Sequence, residues 1–148
     1  MSRYPVWWED TITVYNKYTD PQTQVVTWFR KVLPHCFWKY EHEKLNIGQT
    51  VLESNRTICR IPMDAKFLER YQWEQQFNDM MGEYFTLSQG DIIVKGEVTE
   101  EIDEYSKGHR STDFVAKYKA LQGCIEIETV AVNTKTGTNN KHYLVSGN

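Results

Sequence analysis

The segment Phe85-Thr-Leu-Ser-Gln-Gly-Asp-Ile-Ile-Val-Lys-Gly-Glu-Val98 decides the fold class of this 148-residue chain. Apolar residues recur at a spacing of two on both sides of the turn residues Ser88–Asp91, and this alternation is typical of half-buried strands. The segment therefore predicts a β-hairpin. It carries no residue pattern that indicates a catalytic centre.

Strand patterns of the same kind recur on either side of that segment. Thr11–Tyr18 is rich in β-branched and aromatic residues, and Gln24–Val32 follows it after an Asp-Pro turn, so the two are predicted to pair. Further strands are predicted at residues 36–40 and 56–61 and in the two halves of a closing hairpin, 124–132 and 141–145. The repetition of short strands indicates a protein built mainly from β-structure.

The closing hairpin has two distinguishing features. Its tip, residues 133–140, is long and polar. The apolar phase of its first strand changes between Ile127 and Val130, which indicates a bulge, a bend or burial on both faces.

Residues 1–148 are predicted to form one mainly β domain, a small barrel or sandwich of about seven or eight strands with one or two short helices in insertions. Residues 1–9 are predicted to form an extended N-terminal arm, because Pro5 disfavours helix there. Residues 64–81 are predicted to be a partly helical insertion from the spacing of their apolar side chains. Another short helix, capped by Ser111 or Thr112 and ended by Gly123, is expected to place Phe114, Tyr118 and Leu121 on one side.

The composition argues against a general nucleic-acid-binding protein and against a membrane protein. The net charge is −3 and the isoelectric point is about 5.8, so no general basic field attracts nucleic acid. The sequence shows neither a signal peptide nor an apolar run of membrane-spanning length, so synthesis in the cytoplasm and no membrane partner are expected.

Aromatic residues make up 14% of the chain, which is high for a protein of this size. Tyrosine and tryptophan are enriched at protein interfaces because they offer a large contact area at a low entropic cost. Tyr4, Trp7 and Trp8 lie in the predicted arm, which has no strand or helix of its own to bury them. They are therefore expected to pack on a neighbour, either this subunit's own barrel or another subunit, and are candidate subunit-contact residues.

The residues that most often carry chemistry are present without the required spacing. The chain has three cysteines and four histidines, but no Cys-x-x-Cys or His-x-x-x-His pair. No serine lies in a nucleophile-elbow motif, and the glycines fit turns and bulges better than a phosphate cradle. We therefore expect no metal, no cofactor and no enzymatic activity, and we interpret the cysteines as small buried apolar residues.

The densest charge feature is an acidic cluster: Glu97, Glu100, Glu101, Asp103 and Glu104. Its spacing matches no calcium loop, and a solvated surface is the favoured interpretation over a metal site. If the protein forms a ring, the same carboxylates could line a channel and repel a DNA backbone. They are thus a candidate DNA-facing surface.

Two segments place basic residues among aromatic ones, Trp28–Lys31 and Phe37–Tyr40. Bases of single-stranded nucleic acid stack on such rings. Because the net charge is negative, strands with one core face and one amphipathic face are the favoured interpretation.

Several blocks of the sequence resemble a family of small tailed-phage and prophage proteins of the head-tail connector, or neck. The resemblance is carried by Ile12–Tyr18, Arg60–Pro62, Tyr84–Glu97, Val132–Thr138 and His142–Gly147. It spans most of the chain, and Tyr84–Glu97 is its most specific part.

The resemblance implies a structural virion protein of the stopper, or head-closure, type. Such a protein is a β-barrel that assembles into a ring, expected here to be a hexamer, between the portal with its adaptor and the tail. The implied partners are sibling copies, the adjacent neck proteins and packaged double-stranded DNA that passes through the lumen without sequence-specific binding. The implied location is the neck of the virion, after synthesis in the bacterial cytoplasm.

The expected surfaces follow from that assembly. The arm around Trp7 and Trp8 would dock on a neighbour. Predicted loops at Leu45–Ser54 and Asn133–Asn140 would reach the adjoining ring or the lumen.

Two alternatives to the stopper remain. A tail terminator is another ring protein of the neck, but such proteins usually show longer helices in an α/β pattern. A binding module for single-stranded nucleic acid or a small ligand would instead use the strands of Trp28 and Trp38 as a stacking face.

Overall fold

The computed structural model describes residues 8–48, 50–62, 66–76, 81–121, 123–133 and 142–147. In chain order its elements are β1 (Asp10–Thr19), β2 (Val26–Ile47), β3 (Thr50–Pro62), α1 (Arg70–Glu74), β4 (Ile92–Lys95), α2 (Ser111–Leu121), β5 (Cys124–Asn133) and β6 (His142–Gly147). The predicted mainly β fold with short helices is confirmed. Six strands are described, against the seven or eight expected.

The six strands form a closed barrel in the order β1-β2-β3-β6-β5-β4, and every neighbouring pair is antiparallel. Closure needs strands that bend, and β-bulges supply the bend. One bulge shifts the β1–β2 register between Ile12 and Asp10, and the other shifts the β5–β6 register between Ile127 and Thr129. The irregularity predicted after Ile127 is thus a bulge.

Strand β2 is longer than the sequence suggested. We predicted two strands separated at Leu33–Pro34, whereas β2 runs without a break from Val26 to Ile47. His35 adopts a left-handed conformation with φ of 60°, beside the first bulge. That one residue absorbs the bend, so the strand turns from its partner β1 to its partner β3 without ending.

The prediction that residues 85–98 form a hairpin is correct for the second strand and wrong for its pairing with the first. Its second half is β4, which pairs with β1 and β5 rather than with the residues before the turn. The backbone of Thr86 instead bonds to a side chain: Asn16 Nδ2 donates to Thr86 O at 2.6 Å, and Thr86 N donates to Asn16 Oδ1 at 3.2 Å. An amide side chain therefore takes the place of a strand partner.

Two apolar clusters lie on opposite sides of the barrel wall. The cluster inside the barrel comprises Ile12, Val14, Leu33, Cys36, Cys59, Ile61, Phe85, Leu87, Ile93, Ile125, Ile127, Tyr143 and Val145. The cluster outside the wall, between β1, β4 and α2, comprises Tyr15, Trp28, Ile92, Val94, Val98, Ile102, Phe114, Val115, Tyr118 and Cys124. All three cysteines are buried and free, as interpreted from the sequence.

The predicted insertion at 64–81 contains helix α1, while residues 64, 65 and 77–80 lie outside the described part of the chain. Trp73 of α1 is completely buried and donates its indole N–H to Met81 O at 3.2 Å. Its ring meets Tyr18 and Phe29 edge to face. The insertion therefore packs on the β1–β2 wall of the barrel.

The helix predicted after Ser111 is α2, and it buries Phe114 and Tyr118 as expected. Leu121, placed on the same face from the sequence, is 66% exposed. Gly123 ends the helix with φ of 106° and donates its N–H to Tyr118 O at 2.9 Å. A left-handed residue in this position favours glycine.

The predicted loop at Leu45–Ser54 is wrong, because these residues are paired strands. The β2–β3 register joins Leu45 to Leu52 and Ile47 to Thr50 around a turn at Gly48, whose φ is 62°. Pairing of β3 with β6 begins only at Thr57. Residues 41–56 thus form a two-stranded hairpin, here called the long hairpin, that leaves the barrel wall over about 20 Å.

Candidate functional site

The acidic residues lie on the segment between β4 and α2, which covers the outer face of β1. Tyr15 OH donates to Glu100 O at 2.5 Å, and Glu100 Oε1 accepts from Lys117 Nζ at 2.7 Å. Burial raises the pKa of Tyr15 far above its ordinary value, so the hydroxyl remains a donor. Glu100 therefore holds the segment on the barrel and has its charge balanced by α2.

Glu104 has a structural role of its own. Its Oε1 accepts a hydrogen bond from Ser111 N at 2.6 Å, so it satisfies a backbone donor in the first turn of α2. Partial burial raises the pKa of Glu104, but the hydrogen bonds from Ser111 and the charge of Lys17 outweigh it and lower the pKa below its ordinary value of 4.5.

Replacing Glu104 by glutamine is expected to lower the free energy of unfolding by about 0.5 kcal/mol at pH 7, because glutamine keeps an acceptor for Ser111 N and removes only the negative charge at the start of α2. A carboxyl with a lowered folded-state pKa stabilises above its unfolded pKa and loses that contribution as the pH falls through its folded pKa. The variant should therefore lose less stability than the wild type between pH 5 and about pH 3, measured by urea unfolding. Equal acid sensitivity would contradict the role of Glu104.

The remaining acidic residues face solvent. Glu97 is exposed, and Asp103 accepts a hydrogen bond from the following Tyr105 N at 2.9 Å in a local turn. Glu101 lies 3.5 Å from Arg30 Nε, with its side chain 68% exposed. The five carboxylates predicted as one surface thus divide into two that stabilise the fold and three that are available to a partner. Their orientation toward DNA stays a prediction.

Among the residues that the structure describes, no three histidine, cysteine, aspartate or glutamate side chains come together. Neither described helix has the length and apolarity that crossing a membrane requires.

The N-terminal arm is described only from Trp8 onward, and Tyr4 and Trp7 lie outside the described residues. Trp8 is 3% exposed and meets the ring of His142 on β6 edge to face, with 5.4 Å between ring centroids. Of the two neighbours expected for the arm, Trp8 therefore contacts its own barrel, and contact of the arm with another subunit stays a prediction. Its large apolar ring finds a site on its own barrel.

Residues 7–148 match the model of a family of unknown function, DUF6751. The chain belongs to this family. Comparison with curated proteins gave no match, and comparison with solved structures gave none. The function of this DUF6751 chain must therefore be argued from its own surfaces.

One surface of this DUF6751 chain is an open groove of about 410 Å³ between the base of the long hairpin and the end of α2. We call it the Trp38 groove. It is lined by Trp38, Tyr40, Arg56, Thr57, Lys119, Gly123 and Cys124. The groove combines two aromatic rings and two cationic side chains on a protein whose net charge is negative.

The Trp38 groove is built by packing. A Cβ added at Gly123 would lie 3.3 Å from Trp38 Cζ2, so the turn after α2 lies directly on the indole. Tyr40 is 60% exposed at the rim. Burial raises the pKa of the Cys124 thiol to about 12 although the nearby charge of Lys119 opposes the shift, so this cysteine is not a nucleophile at neutral pH.

The sequence indicated only part of this groove. Phe37–Tyr40 was recognised as basic and aromatic, whereas Arg56 and Lys119 come from distant elements and carry no local signal. Trp28, the other predicted stacking residue, is buried in the same apolar cluster as Val98 and Ile102 and cannot form a stacking face.

Proposed function

We propose that this chain is a structural protein of the neck of a tailed phage and forms the stopper, or head-closure, ring between the portal with its adaptor and the tail. The observation that carries the proposal is a closed β-barrel from which one long hairpin extends. A rigid barrel suits the wall of a ring, and a hairpin suits contact with an adjoining ring or the lumen.

Two further features support a role based on shape. The Trp38 groove is open rather than enclosed. The described helices have 5 and 11 residues, which favours the stopper over a tail terminator with longer helices.

Electron microscopy of purified virions tests the proposal. We expect the barrel to fit the density of a neck ring, and we expect deletion of the gene to give heads that package DNA and then lose it. Complementation with the intact gene is the control. A protein that is absent from the neck of purified particles would defeat the proposal.

Shortening the long hairpin should separate folding from head closure. Replacement of residues 44–53 by Asn-Gly joins Glu43 to Ser54 through a two-residue turn that suits paired strands. Because a two-stranded hairpin contributes little stability alone, the free energy of unfolding should change by less than about 1 kcal/mol. Complementation should nevertheless give heads that fail to retain DNA. Full complementation would show that the hairpin is dispensable.

A binding module for single-stranded nucleic acid or a small ligand is the second candidate. The Trp38 groove favours it, because Trp38 and Tyr40 offer rings and Arg56 and Lys119 offer charge. A filter-binding titration with labelled single-stranded DNA distinguishes the two. Tight binding that weakens steeply with salt would favour the module.

A further inference from the structure

The Trp38 groove has the composition of a protein-binding hot spot. Tryptophan, tyrosine and arginine are the residue types most enriched among side chains that dominate binding energy, and Trp38, Tyr40 and Arg56 occur together here. Tyr40 is 60% exposed, and an exposed tyrosine beside a partly buried tryptophan offers a large apolar area at little entropic cost.

The charge of the groove identifies the kind of partner that it fits. Lys119 is exposed at the end of α2, and Arg56 is exposed on β3. A partner with carboxylates flanking an aromatic ring would match both the cations and the rings. Complementary charge of this kind fixes the register of an interface and suppresses wrong partners.

The same chain carries a surface of that description, residues 97–105, here called the acidic segment. Glu101 and Asp103 are exposed on it, and Tyr105 beside them is 63% exposed. The hydroxyl of Tyr105 accepts a hydrogen bond from Val26 N at 2.9 Å, which holds the ring in a fixed position. Carboxylates and an aromatic ring are thus presented together on an ordered surface.

The groove and the acidic segment are different surfaces of the chain. The segment contacts α2 at two places, because Glu104 binds its first turn and Glu100 binds Lys117 near its end. The groove begins beyond that contact, at Lys119 and Gly123, and no residue of 97–105 lines it. A contact between two different surfaces of identical subunits is heterologous, and it closes into a ring when the rotation between neighbours permits.

We propose that the Trp38 groove of one copy binds the acidic segment of a second copy. This inference rests on the proposed ring-forming function and specifies the contact between neighbours in that ring. Lys119 faces Glu101 or Asp103 of the neighbour, and Tyr105 of the neighbour lies against Trp38 and Tyr40.

Charge reversal tests the contact. Lys119→Glu and Glu101→Lys should each weaken self-association at least about tenfold, because each places like charges together. The double variant should restore association to near the wild-type level. Lys119→Gln should have an intermediate effect, and Glu83→Lys, a reversal at an exposed site outside both surfaces, should have none. Association is measured by sedimentation velocity of the purified protein and by incorporation into virion necks.

Thermal unfolding of every variant checks that folding is intact. The Arg30–Glu101 pair is solvent-exposed, so its loss should cost less than about 1 kcal/mol. Restoration by the double variant is a readout that misfolding of either single variant could not produce.

The outcomes separate this inference from the proposed function. Neck rings that form equally well with Lys119→Glu overturn the contact and leave the stopper proposal standing. A wild-type protein that stays monomeric and is absent from virions overturns both. Binding of labelled single-stranded DNA or of an acidic peptide that Lys119→Glu abolishes, without any change in self-association, would assign the groove to that ligand and overturn the inference.

Discussion

Replacing Trp73 by alanine is expected to lower the free energy of unfolding by about 4 kcal/mol, the usual cost of removing a fully buried tryptophan. The indole has no exposed surface, bonds to Met81 O and meets the rings of Tyr18 and Phe29. Its removal would leave a cavity between α1 and the β1–β2 wall. The insertion would then lose the side chain that fixes it to the barrel.

Urea unfolding and thermal unfolding measure this effect, which should appear as a fall in Tm of roughly 10 °C. Tyr71 provides the matched control, since it lies on the same helix with 64% of its surface exposed. Tyr71→Ala should change the stability by less than about 0.5 kcal/mol. Similar effects of the two substitutions would show that α1 does not pack on the barrel.

Asp91→Ala is expected to lower the free energy of unfolding by about 3 kcal/mol, because it leaves buried donors without an acceptor. The buried Asp91 carboxylate accepts from Asn16 Nδ2 at 2.9 Å, from Lys17 N at 3.0 Å and from Ser88 N at 3.2 Å. Arg70 Nη1 lies 3.5 Å from its Oδ1. The side chain thus joins β1, the turn before β4 and helix α1.

The pH dependence provides a second test of Asp91. Burial raises its pKa above the ordinary value of 3.8, although Lys17 N, Arg70, Asn16 and Ser88 oppose the shift. A carboxyl with a raised folded-state pKa stabilises most below its unfolded pKa and contributes less as the pH rises through its folded pKa. The difference between wild type and Asp91→Ala should therefore shrink as the pH increases from about 3.5 to 7. Glu83→Ala, an exposed carboxylate, is the control and should show no such trend.

The sequence was sufficient for features that depend on local pattern. Alternation at a spacing of two identified β1, and the Asp-Pro pair identified its turn, where Asp20 Oδ1 accepts from Gln22 N at 2.8 Å. The change of phase after Ile127 indicated a bulge, and Gly123 indicated the end of α2. Each of these features is determined by residues adjacent in the chain.

The predictions from the sequence were wrong at two kinds of place. In one, a side chain distant in sequence forms the backbone hydrogen bonds that a strand partner would form. In the other, a strand continues through residues that normally end one. Nothing near Thr86 shows that Asn16, 70 positions earlier, binds its backbone in place of a strand. Nor does Pro34 show that His35 will take a left-handed conformation and let β2 continue. The polar residues of Leu45–Ser54 suggested a loop because pairing between β2 and β3 is not visible in the composition.

Of the Trp38 groove, the sequence predicted only the aromatic residues. Trp38 and Tyr40 occur in a segment recognised from the sequence, but the groove exists because β3 brings Arg56 and α2 brings Lys119 to the same place. The acidic residues were recognised as one cluster. Their division into Glu100 and Glu104, which stabilise α2 and its neighbours, and the exposed remainder required three-dimensional contacts.

The continuity of β2 and β3 has a mechanical consequence. Both strands pass from the barrel wall into the long hairpin with no loop at the junction. A load applied at the turn near Gly48 would act along the strands and strain their hydrogen bonds in shear, all at once rather than one after another. The long hairpin therefore resists deformation along its length, so displacement of its end would be transmitted to the barrel.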